Sequence, residues 1–136
     1  MENEHDNKQY IIKLLFWGWW AVILLFSLIP IGNKIELNLS SGSGLIRPDY
    51  LIHLISFLLF AWIYRLGRVV ERDLFQIKPT IKFNIIVFST SVVSEFIQVL
   101  LPYRTFNPYD LLSNLIGASI GVLIVNLTKH GSIELK

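Results

Sequence analysis

The chain has no cysteine, which excludes disulfides, thiolate metal sites and thiol nucleophiles while fitting either redox compartment. Charge is also scarce. Lys, Arg, Asp and Glu make up 16% of the residues, against about 25% in ordinary soluble domains. The net charge is only +2, and the basic residues form no cluster of the kind a nucleic-acid surface requires, so no nucleic-acid partner is expected. Gly-rich phosphate loops, zinc-ligand spacings, nucleophile elbows and internal repeats are missing as well. Neither a cofactor nor a resident metal is expected.

Apolar residues dominate instead. They reach 53%, with 13% aromatics and a mean hydropathy of +0.54. A length of 136 residues suits one domain across 1–136. From Leu14 to Asn33 no charge interrupts 20 positions, enough to cross a hydrocarbon core of about 30 Å. The run lacks an Ala-x-Ala cleavage pattern, which favours an uncleaved first helix over about 14–30 rather than a signal peptide. Phe16, Trp17, Trp19 and Trp20 crowd its first turns in the manner of an interfacial aromatic belt. Residues 1–13 are polar, mixed in charge and without helical periodicity, hence a short tail.

Pro30 and Gly32 close that helix, and a Ser-Ser-Gly-Ser-Gly run at 40–44 marks the 33–47 loop as flexible. Ile35, Leu37 and Leu39 alternate with polar residues there, as a short strand or a membrane-surface segment would. A second helix begins near Pro48, a residue suited to the first helical position, and runs to about Gly67. A third spans about 80–101 and a fourth about 108–128. The expected class is an all-α integral membrane protein, four transmembrane helices in an antiparallel bundle. Lys and Arg are divided nine to three between the two sides, which places both termini in the cytoplasm.

This orientation gathers the chemistry-bearing residues at the outer face. Asp49 and His53 are four apart on one face of the second helix, and Glu95 and Gln98 are three apart on the third. Asp110 and Asn114 share a stripe of the fourth with Gly117 and Gly121. Glu95 lies about 10 Å along its helix from Pro102, below the headgroups, where a carboxylate needs a partner. His53, Gln98, Arg104 and Asn114 are the candidates. His53, Glu95 and Asp49 are therefore the candidate acid–base residues, and Arg104, Gln98, Asp110 and Asn114 the candidate ligand-binding set.

Plainer roles compete with each of these. Asn107, Pro108 and Asp110 fit an N-cap, N1 and N3, so capping alone accounts for Asp110. Asp49 suits the positive end of a helix dipole. Gln98 and Asn114 fit interhelical hydrogen bonds, and Arg104 can snorkel to lipid phosphate. The Gly117/Gly121 pair suits close helix packing, within the chain or in an oligomer.

With these residues in view, the chain resembles the VanZ-like family of small membrane proteins, named after a teicoplanin-resistance factor. The resemblance covers about Asp49 to Leu123. It rests on Asp49 and His53, Glu95-x-x-Gln98, Pro102-Tyr103-Arg104, and Asp110, Asn114, Gly117 and Gly121. Tyr50 stands where the family has lysine, and Leu54 where it has phenylalanine. The resemblance implies a multi-pass protein of the bacterial cytoplasmic membrane, in contact with membrane lipid and able to lower teicoplanin susceptibility. The polar cluster is expected to engage an anionic envelope component such as a lipid-linked wall precursor or teichoic acid. The alternatives are an intramembrane hydrolase or transferase on a lipid-linked substrate, and a purely structural cluster.

Overall fold

In a computed structural model, residues 2–29, 48–70, 74–103 and 105–127 are described. They form α1 (Glu2–Leu28), α2 (Pro48–Val69), α3 (Pro79–Val99) and α4 (Pro108–Leu127). No strand occurs among the described residues. All four helices are long and apolar enough to cross a membrane. The 33–47 loop, with its alternating 35–39 segment, and Arg104 lie outside the described residues.

The main departure from the sequence reading is the start of α1. The segment expected as a tail is helical from Glu2, because no proline or glycine precedes Gly18 to stop the helix running outward from the apolar span. The helix is about 40 Å long, more than a bilayer core needs, so its polar turns extend past the apolar stretch that begins at Asn7. Phe16, Trp19 and Trp20 consequently fall mid-helix and face the bundle. Phe16 is fully buried, Trp19 Nε1 donates to the Ser56 carbonyl at 3.0 Å, and Trp20 Nε1 donates to Thr90 Oγ1 at 2.9 Å. These aromatics clip α1 onto α2 and α3. Only Trp17 keeps the half-exposed posture of a lipid-facing ring.

Consecutive helices run antiparallel, which makes α2 and α4 parallel to each other. Around the bundle the order is α1, α2, α4, α3, and the backbones of α1 and α4 make no close approach among the described residues. The α2–α4 pair has the most extensive contact. Gly117 and Gly121 permit it. A Cβ on Gly117 would lie 2.6 Å from the Leu54 carbonyl oxygen, and one on Gly121 would lie 2.5 Å from Ala61 Cβ. This small-residue face is therefore occupied by α2 of the same chain, as close packing of membrane helices requires.

At one end of the bundle the core is aromatic. Tyr64 stacks on Phe83 at 4.1 Å between ring centroids, and Phe16 packs on Phe60 at 4.7 Å. Arg68 at the end of α2 donates to Thr80 Oγ1 at the start of α3 across 3.0 Å, closing this end around the α2–α3 connection. At the other end the parallel alignment brings together the N-terminal turns of α2 and α4 and the C-terminal turns of α1 and α3. The polar residues lie there.

Candidate functional site

The third helix presents one buried stripe of Ser91, Ser94, Glu95 and Gln98, spaced three and four apart. On the fourth, Asp110 and Asn114 form the facing stripe. From the second, His53 projects between them, and Asp49 stands one turn earlier. Burial is nearly complete. Glu95 and Asn114 have no exposed surface, and Asp110 has 7%. Groups so deeply placed are sustained only by contact with one another.

Asn114 joins all three helices. Its Oδ1 lies 3.0 Å from His53 Nδ1, and its Nδ2 donates to Glu95 Oε1 at 2.8 Å. Ser94 Oγ at 3.3 Å and the Ser91 carbonyl at 3.5 Å complete the surroundings of the amide nitrogen. His53 Nδ1 is also 3.8 Å from Glu95 Oε1, and its Nε2 is 3.9 Å from Asp110 Oδ2. The result is a continuous polar chain from Glu95 in the interior, through Asn114 and His53, to Asp110. Among the described residues no three imidazole or carboxylate side chains are arranged to share a metal ion.

The outer end of this chain opens into a cleft of ≈ 40 Å³, room for a water or a single hydroxyl group. Asp49, His53 and Asp110 line it together with Ser27 and Ser56, and Ile23 and Phe26 of α1 form its apolar wall. Glu95 and Asn114 support the cleft from behind without lining it.

The candidate residues thus fall into distinct places. Asp49, His53 and Asp110 meet at the cleft, while Glu95 and Asn114 hold the interior. Gln98 is buried on the same α3 stripe, yet its amide nitrogen has no hydrogen-bond partner among the described residues. Arg104 lies outside them. The cap of α4 is Asn107, whose Oδ1 accepts the Tyr109 N–H at 3.0 Å. Asp110 does sit in the first turn, but its carboxyl faces His53, so capping does not account for it alone.

Sequence reasoning missed Ser27 and Ser56 at the cleft. Ser27 was visible as a lone hydroxyl in an apolar run, where it covers its polarity by donating to the Ile23 carbonyl at 2.9 Å. Ser56 does likewise toward Ile52 at 2.7 Å. Neither spacing points to a site without knowing that α1 packs beside α2.

Four apolar helices enclosing a polar cluster define a multi-pass helical membrane protein. The VanZ/LLP1 family model matches residues 10–129, and the chain belongs to that family. It is also similar to an uncharacterized protein of the fission yeast Schizosaccharomyces pombe, with 32% identity over 75 residues. That match takes in 54% of this chain but only 40% of the yeast protein. No solved structure matches the chain.

Proposed function

We propose that the protein resides in the bacterial cytoplasmic membrane with both termini cytoplasmic, and engages an anionic, lipid-linked envelope component at the outer face. Lowered susceptibility to teicoplanin is the expected outcome. The observation that carries this reading is the convergence of Asp49, His53 and Asp110 on one cleft at a single end of the bundle. In this account the N-terminal ends of α2 and α4 and the charge of Arg104 attract phosphate. Hydroxyl or amine groups of the same headgroup meet the imidazole and carboxylates. Expression in a teicoplanin-susceptible bacterium tests it. The wild-type chain should protect, and Arg104→Ala should return susceptibility to the vector level while membrane amounts stay normal. Protection retained by that variant would sink the idea.

A second reading is favoured by the placement of His53, anchored through Nδ1 in the interior while it also lines the cleft. Such a ring is arranged as a general base or acid would be, with geometry held by a fixed partner. In this reading the protein is an intramembrane hydrolase or transferase on a lipid-linked substrate. Incubating purified protein with candidate envelope lipids and following their masses separates the two. A new product supports turnover, and unchanged lipid supports binding alone.

A further inference from the structure

Asn114 has no exposed surface and does not line the cleft, yet it holds the hydrogen-bond direction of the whole cluster. Its amide nitrogen faces Glu95 Oε1, Ser94 Oγ and the Ser91 carbonyl at 2.8, 3.3 and 3.5 Å. Ser94 gives its single hydroxyl proton to the Ser91 carbonyl across 3.2 Å, so it meets Asn114 with lone pairs. A carbonyl can only accept. With Glu95 ionised, every atom on that side of the amide accepts, so the side toward α3 is the NH₂ side. That leaves Oδ1 toward His53 at 3.0 Å. Because Oδ1 cannot donate, Nδ1 must carry the proton.

With Nδ1 protonated, Nε2 is the nitrogen that gains or loses a proton. It is also the nitrogen on the Asp110 side of the ring, and both residues line the cleft. The groups around the imidazole are Glu95 from α3, Asp110 and Asn114 from α4, and Asp49 one turn away on α2.

We propose that Asn114 is a positioning residue that locks His53 as the Nδ1–H tautomer, so that Nε2 is the atom offered to a hydroxyl-bearing group in the cleft. The functional consequence rests on the acid–base reading above, whereas the tautomer stands apart from it.

Nitrogen NMR of the full chain in lipid, with labelled histidine, reads the tautomer directly. The sequence has three histidines, so His53 is assigned by the signals lost in His53→Gln. With the ring neutral, the wild type should show a protonated, pyrrole-type Nδ1 and a pyridine-type Nε2. The swap Glu95→Gln with Asn114→Asp keeps an acceptor at 114 and a donor at 95, and should retain that pattern. Replacing both residues with leucine removes both acceptors near Nδ1, and the two nitrogen signals should exchange character. An Nε2–H ring in the wild type, loss of the pattern in the swap, or Nδ1–H in a folded leucine pair would each overturn the proposal. Should the leucine pair not fold, the wild type and the swap still decide. None of these readings uses an antibiotic or a lipid substrate. A wild type with Nδ1–H that neither protects cells nor alters a lipid therefore counts against the proposed function alone.

Discussion

The two ends of this bundle are built from the same helices and held by different physics. At one end Phe16, Phe60, Tyr64 and Phe83 form a close-packed set of rings, with stacking as tight as 4.1 Å. At the other, Glu95, Asn114, His53 and Asp110 replace apolar contact with a chain of polar ones. The change falls at a common level on three helices. Along α2 it separates His53 from Phe57, along α3 Val87 from Thr90, and along α4 Asn114 from Gly117. Membrane helices gain little from burying apolar surface against one another, so shape fit sets the strength of the aromatic end. The polar end is constrained in another way, since burial of Glu95, Asn114, His53 and Asp110 is tolerable only while they meet one another. The aromatic end is therefore held by shape and the polar end by mutual hydrogen bonding, and it is the polar end to which the proposed function assigns the chemistry.

The largest break in this contrast is expected from Gly117→Val, which sits at the boundary. Its Cβ would press on the Leu54 backbone oxygen at 2.6 Å, and a backbone atom cannot move aside as a side-chain tip can. Both ends should fail together, seen as loss of the folded species in detergent by size exclusion and protease resistance. Next comes Phe60→Ala in the aromatic set. A cavity of that size costs about 3–5 kcal/mol in denaturant unfolding. Any loss of function should then follow the loss of folded protein. Glu95→Gln probes the polar end with little change in shape. Its stability should shift by no more than about 1–2 kcal/mol, the scale of a buried interhelical hydrogen bond. Function should survive if Glu95 only supports Asn114, and disappear if it exchanges protons. Trp20→Phe is the mildest. It removes the single bond to Thr90 and should cost about 0.6–2 kcal/mol, with cleft function intact.

Much of this arrangement was legible beforehand. Uncharged runs and the prolines at 48, 79 and 108 mark α2 to α4 closely, because length and polarity leave few other structures in a bilayer. The start of α1 was not legible, since a mixed-charge segment without breakers looks the same whether coiled or helical. The tryptophans misled for a related reason. Indole suits a bilayer interface and an interhelical hydrogen bond equally well, and only the packing of α1 on α2 and α3 distinguishes the two. Helical spacing was sufficient to place Asp49 with His53 and Asp110 with Asn114. It could not reveal that Asn114 bridges His53 and Glu95, because the order α1, α2, α4, α3 depends on side-by-side fit, and the Gly117/Gly121 pair is its one clear sequence trace.

The division of labour is tested most directly at His53, by measuring teicoplanin protection per membrane-inserted molecule in His53→Gln alongside the melting temperature of the purified bundle. The account predicts that protection disappears while the melting temperature and membrane amount stay near wild type. Full protection by that variant would contradict it.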